Sequence, residues 1–345
     1  ELMNAQGFAS RPLNIDVWLP AGFENADIDP PGLNSLRLAP SDLELDDWGA
    51  LFDIDIFGEP RGMLIADAVA HVGSVGYTRQ DGTHVPPQPA FNFTDLTTCL
   101  DHDADLLANY RPDTIRSVRQ RFSSYGSLAM FSGTATTLSD LLRSFHVSVL
   151  MLARVPDALK KVVVSVLLRR LMRERRDASF AQKRLDLQSG LVAAEREELE
   201  RFVLGSVPRA WILLDEAHVL AGTDEPSVAR DALVKYAKEG RNYGLSLAVA
   251  TQQPSALDNR LMSQVETLIV HQLTAPRDAA VASQSMRSPM PEELRVDGVE
   301  VGFDQLLRRL GQGIAVYSSG NAPHLQRLCV FSVRARTTAH GGYEA

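Results

Sequence analysis

The sequence predicts an α/β protein: a parallel sheet flanked by helices, with helical insertions. Short continuous apolar runs recur at 145–153, 210–214, 245–250 and 267–273, the length of strands buried on both faces. Segments at helical spacing separate them, at 158–176 and 226–239. The order strand, helix, strand, helix, strand implies right-handed crossovers and parallel pairing.

The elements follow in order. Residues 13–19 (LNIDVWL) read as a strand stopped by Pro20. In the acidic stretch 40–59, Ser41 is placed to cap a helix, with Glu44 completing a capping box. Residues 73–97, rich in Gly, Pro, Thr and Gln, read as a loop, and 101–122 and 139–143 as helical. After the strand at 145–153, Asp157 caps a long helix, 158–176. The polar stretch 177–205 carries a helical segment at 191–202. In 226–239 an apolar stripe runs through Val228, Ala229, Ala232, Leu233, Tyr236 and Ala237, with Pro226 before it and Gly240 after it. Strands at 313–317 and 328–333 follow, and there is no internal repeat.

Composition bounds the function. At 345 residues and 45% apolar content, the chain can bury a large core. No apolar run approaches the roughly 20 residues of a membrane helix, and Arg154 and Pro156 end the longest, 146–153. The chain shows neither a signal-peptide pattern nor an initiator Met, the start expected of a fragment. Cys99 and Cys329 supply no disulfide framework or metal spacing, which fits a cytoplasmic location. A net charge of −8 argues against a basic nucleic-acid coat but leaves room for a local basic channel. Arg169, Arg170, Arg173, Arg175 and Arg176 cluster on one helix and read as a solvated face or as subunit ion pairs before pore lining. The acidic string 101–105 (DHDAD) reads as an exposed loop rather than a metal site.

In an open parallel sheet, ligands bind at the carboxyl ends of the strands. The strand 210–214 ends in Asp215–Glu216 and the strand 245–250 in Thr251–Gln252, with Gly240–Arg241 between them at a helix end. Nucleotide hydrolysis uses these residue types: one carboxylate for Mg²⁺, a second to activate water, an amide to sense the γ-phosphate, and an arginine for the charge that develops. Alone, Asp–Glu after a strand is as readily a helix cap. With Gln252 and Arg241 in place, the cap reading loses ground.

WILLDEAHVL, followed by KEGRNYGLSLAVATQQPSALDNRLMSQVETLIVHQL, resembles the second half of a HerA–FtsK superfamily ATPase, closest to the HerA branch. The match is strong over 145–275, fair over 310–342, where VRARTTAHGG is similar to the family's tail, and weak over 10–140. The resemblance implies a RecA-like ASCE P-loop NTPase core over 141–345. It implies a strand that follows the phosphate loop, and a helical and loop insertion, over 1–140. It makes Asp215 the Walker B ligand of Mg²⁺, Glu216 the catalytic base and Gln252 the γ-phosphate sensor. Arg241 becomes an arginine finger acting on the neighbouring subunit's ATP. His218 reads as core packing beside the strand, and Gln253 has no assigned role.

The Walker A loop, G-x-x-x-x-G-K-[ST], is not in the sequence. The five lysines are Lys160, Lys161, Lys183, Lys235 and Lys238, and none follows a glycine. SGTATT at 132–137 lacks the lysine and reads as a turn. The expectation is that the loop lies upstream of Glu1 or on another chain, and that this chain alone is inactive. Function then reads as a hexameric, ATP-driven double-stranded DNA translocase or helicase that works with a nuclease or defence effector in end processing or phage defence. Two other readings stay open: a non-catalytic ring scaffold that docks an effector, and a packaging or conjugation motor.

Overall fold

The computed structural model describes residues 13–25, 27–29, 31–188, 190–223, 226–286, 294–296, 299–320 and 328–334. The expected tail resemblance beyond 334 lies outside them.

β1 (Ile15–Pro20) pairs in parallel with β2 (Asn34–Leu36). A helical insertion follows: α1 (Leu45–Phe52), α2 (Pro60–Ala70), a small hairpin of β3 (Tyr77–Thr78) and β4 (His84–Val85), then α3 (Phe93–His102), α4 (Ala104–Asn109), α5 (Pro112–Gly126) and α6 (Leu138–Leu141). β5 (Val147–Leu150) returns to lie parallel to β1, with Ile15 opposite Val147. α7 (Asp157–Leu187) and α8 (Ala193–Gly205) lead to β6 (Ala210–Leu214). α9 (Val228–Glu239) crosses over to β7 (Leu245–Val249), which is parallel to β6, and α10 (Asn259–Met262) precedes β8 (Thr267–Val270). α11 (Pro276–Gln284), a hairpin of β9 (Leu294–Val296) and β10 (Val299–Val301), and α12 (Phe303–Arg309) come next. β11 (Ile314–Ser319) runs antiparallel to both β8 and β12 (Cys329–Ser332). The expected parallel pairing therefore holds for β1, β2, β5, β6 and β7, and an antiparallel unit ends the described chain.

Some local expectations shift. The helix start in the acidic stretch is capped by Glu44, not Ser41. The Glu44 N–H donates to Asp47 Oδ2 at 2.9 Å, closing a box three residues further on. The stretch read as a loop at 73–97 holds the β3–β4 hairpin and the first turn of α3, where the Asn92 side chain accepts the N–H groups of Thr94 and Asp95. α7 continues for 31 residues, past the expected end at 176, because its polar half packs against α8 and Arg184 pairs with Glu195 there.

One apolar core joins the insertion to the α7 and α9 layer. At its centre Trp48 packs edge-on to Phe93 and Phe122, with ring centroids 5.6 and 5.8 Å apart. Such pairs add about 0.5–1.5 kcal/mol each beyond burial. Three of the five clustered arginines on α7, Arg169, Arg170 and Arg175, are staples, while Arg173 and Arg176 lie on the solvated face. Arg169 binds the buried Asp47 carboxylate, with Nη1 to Oδ1 at 3.2 Å. Arg170 reaches the Thr136 carbonyl at 3.1 Å, and Arg175 reaches the carbonyls of Val207 and Tyr243 at 2.8 and 3.1 Å. Arg176 pairs with its neighbour Asp177. The string 101–105 is no exposed loop either: Asp103 is buried, caps α4, and binds His71 Nδ1 at 2.5 Å.

Among the described residues the parallel strands form two sheets, β2-β1-β5 and β6-β7, and each leaves apolar side chains exposed on one side. Ile212 and Leu214 pack into the core, while Trp211 and Leu213 point the other way and are 69% and 76% exposed. On β5, Val147 and Val149 are exposed in the same alternation, and so is Ile15 beside Val147 on β1. No described helix is long and apolar enough to cross a membrane.

Candidate active site

The site begins with strand register. β6 and β7 pair in parallel with Leu214 opposite Val249, so both strands end at the same level. The ladder continues one step beyond: the Ala250 N–H donates to the Leu214 carbonyl at 2.8 Å, and the Ala217 N–H to the Ala250 carbonyl at 2.9 Å. Asp215 and Glu216 on one strand end are thus set beside Thr251 and Gln252 on the other.

Glu216 turns the chain sharply. Its backbone is left-handed, at φ 46 and ψ 49, a conformation costing a non-glycine residue about 1–2 kcal/mol. The turn is held by the Asp215 carboxylate, which accepts the Glu216 N–H at 3.0 Å, and by the Val219 N–H, which donates to the Glu216 carbonyl at 2.9 Å. It aims the Glu216 side chain across at the end of β7. There Gln252 Nε2 donates to Glu216 Oε1 at 2.6 Å, and the Gln252 N–H reaches Oε2 at 3.4 Å. An oriented carboxylate beside an amide, at the mouth of a parallel sheet, can polarise water and read the charge of an anionic ligand.

Of the four residues singled out from sequence, three converge. Arg241 does not join them. It sits in the turn between α9 and β7, at the amino end of the strand whose carboxyl end carries Gln252. Five strand residues separate the two ends, about 16 Å. Arg241 is 74% exposed, and its Nη1 lies 3.0 Å from Glu266 Oε1. It makes no recorded contact with Asp215 or Glu216 of its own chain, and its guanidinium, paired with Glu266, is largely exposed.

His218 departs from its expected place in the core. Its Nδ1 lies 2.9 Å from Thr251 Oγ1 and 3.3 Å from Glu216 Oε2. Thr251 Oγ1 also accepts the Gln253 N–H at 3.0 Å. Sequence reasoning missed His218 and Thr251. The signal that finds them is the parallel register, which puts the residue two past Glu216 against the residue just before Gln252. The exposed Asp215 carboxylate has one recorded hydrogen bond, from the Glu216 N–H. Among the described residues no cluster of three or more His, Cys, Asp or Glu forms a ready metal cage.

No protein-family model matches the chain. It is 28% identical over 181 residues to the DNA double-strand break repair helicase HerA of Pyrococcus furiosus, covering 50% of this chain and 32% of that protein. It is 24% identical over 164 residues to the HerA helicase of Saccharolobus solfataricus, covering 47% and 29%. The chain spans about a third of the length of these curated relatives. Among solved structures, VirB4 of Thermoanaerobacter pseudethanolicus superposes with a TM-score of 0.53 at 15% identity, covering 96% of this chain and 83% of that one. The plasmid coupling protein TrwB in complex with ADP and Mg²⁺ gives 0.51 at 12% identity, covering 99% and 81%. The fold is that of a RecA-like P-loop NTPase core, and the resemblance to the HerA branch of the HerA–FtsK ATPases is borne out.

Proposed function

We propose that this chain, similar in sequence to HerA helicases and built as a RecA-like core, is the hydrolytic part of a ring-forming ATPase that moves along double-stranded DNA. The observation that carries the reading is the convergence of Asp215, Glu216 and Gln252 at the paired ends of β6 and β7, with Glu216 and Gln252 in direct contact. In this reading Asp215 holds Mg²⁺, Glu216 orients and deprotonates the attacking water, and Gln252 senses the γ-phosphate. When bound, the ion neutralises charge on the phosphates. The chain's own part is to fix the water and to register the phosphate.

The far placement of Arg241 supports a finger acting in trans. A residue about 16 Å along the strand from Gln252 serves a neighbour's nucleotide if subunits stack head to tail, and a heterologous contact of that kind closes into a ring. We take the ring to be a hexamer. We assign 141–345 to the ATPase core and 1–140 to a strand with a helical insertion packed on it. This reading requires a phosphate-holding loop, and no G-x-x-x-x-G-K-[ST] stands in these 345 residues. A nuclease or defence effector as partner, and the cytoplasm as site of action, complete the proposal.

The test is ATP turnover by the intact protein with and without linear double-stranded DNA. Hydrolysis stimulated by DNA supports the motor. Tight DNA binding with no hydrolysis under any condition favours the non-catalytic ring scaffold instead.

A further inference from the structure

We propose that His218 is a positioning residue for Glu216: it holds the carboxylate in aim while Gln252 changes partners. The inference rests on the hydrolytic reading of Glu216 given above.

In this structure both Glu216 oxygens are engaged. Oε1 accepts from Gln252 Nε2 at 2.6 Å, and Oε2 faces His218 Nδ1 at 3.3 Å. An amide that senses phosphate must let go of Glu216 to reach it. Once it does, Oε1 is open to water, and the imidazole is the side chain still touching the carboxylate. Glu216 sits in a left-handed backbone conformation, so its aim depends on such contacts.

The chemistry at Nδ1 is constrained. With its lone pair outward, Nδ1 would point electrons at the Glu216 carboxylate. With a proton, it donates a forked bond to Thr251 Oγ1 at 2.9 Å and to Glu216 Oε2 at 3.3 Å. Thr251 Oγ1 accepts the Gln253 N–H at the same time, which fixes the hydroxyl and with it the ring. The imidazole is fixed at its base too. Ala217 is tied to Ala250, and Gly222 packs against the His218 carbonyl so closely that an added Cβ would lie 2.8 Å from that oxygen. His218 thus links the turn after β6 to the end of β7, the two segments that must move together when phosphate binds.

The experiment compares H218A, H218N, H218Q and T251V with wild type and E216Q in the intact protein, measuring kcat and KM for ATP, binding of a fluorescent ATP analogue, and melting temperature. Losing one such hydrogen bond in the transition state corresponds to roughly a tenfold change in rate. H218A is expected to lower kcat about tenfold with KM and analogue binding unchanged. H218N, whose amide N–H overlays Nδ1, recovers most of the loss. H218Q, whose amide overlays Nε2, does not. T251V falls in the same direction, and H218A/T251V is no slower than H218A. If H218A does not fold, the contrast between H218N and H218Q carries the test. The inference is overturned if E216Q abolishes turnover while H218A keeps the wild-type kcat, or if H218N is as slow as H218Q. Full turnover in E216Q would instead overturn the hydrolytic reading itself, and this inference with it.

Discussion

R169M tests the joint between insertion and core. Asp47 is buried at the start of α1, and Arg169 on α7 grips its carboxylate from 122 positions away. Methionine keeps the aliphatic stem and removes the charge. Breaking a buried pair by removing one partner costs about 3–5 kcal/mol, because the remaining charge is left uncompensated. Asp47 keeps the Glu44 N–H at 2.9 Å, so the low end, about 3 kcal/mol, applies. Unfolding entropy near 2.1 cal/mol/K per residue gives about 0.7 kcal/mol per kelvin for this chain, hence a fall in Tm of about 4 °C. Burial raises the Asp47 pKa despite the opposing pull of Arg169. The folded chain therefore holds that proton more tightly than the unfolded chain does. The penalty for the charge is absent below the unfolded value of about 3.9 and grows as pH rises through the folded value. The deficit in R169M should be smaller at pH 5 than at pH 8, and D47N/R169M should recover most of it. Thermal melts followed by circular dichroism decide the matter. A deficit under about 1 °C at pH 8, or one that does not change with pH, refutes the reasoning.

Three further outcomes are expected. Mixing R241A with E216Q subunits should partly restore hydrolysis, because a ring then contains sites with an intact base beside an intact finger; no recovery in mixed rings removes the trans role. Cys329 is exposed, whereas Cys99 is buried with its thiol pKa pushed up by burial and by Asp103, so a thiol reagent should label one cysteine in the native chain and two after denaturation. G62A should destabilise by about 2 kcal/mol, read as a lower Tm, because its Cβ would lie 2.2 Å from the Asp55 carbonyl oxygen and 2.5 Å from Ile56 Cα.

The fold was legible where its signals are local. Runs such as 210–214 and 245–249 announce strands, and their polar ends announce the site, although burial on both faces does not hold for 210–214, where Trp211 and Leu213 are exposed. Long-range pairing is not written in adjacent residues. Nothing near Arg169 reveals that its partner is Asp47, so the arginines read as a solvated face or subunit ion pairs when three of the five, Arg169, Arg170 and Arg175, are internal staples. The expected cap at Ser41 lies three residues early, because Pro40–Asp42 forms a separate 3-10 turn and the α-helix starts only after Glu44. Likewise the role of His218 depends on register: shift β7 by one residue and Thr251 no longer meets its ring. The antiparallel β8–β11–β12 unit was missed as such, since apolar runs carry no strand direction.

The measurement that bears most directly on the central claim is ATP hydrolysis by the intact protein carrying E216Q, with ATP-analogue binding measured on the same sample. Glutamine keeps the shape at the end of β6 and cannot take a proton from water. General-base catalysis is worth roughly 10²–10⁴-fold. The account predicts that turnover falls by at least about 100-fold while binding is retained. Turnover at the wild-type rate, with the analogue still bound, would contradict it.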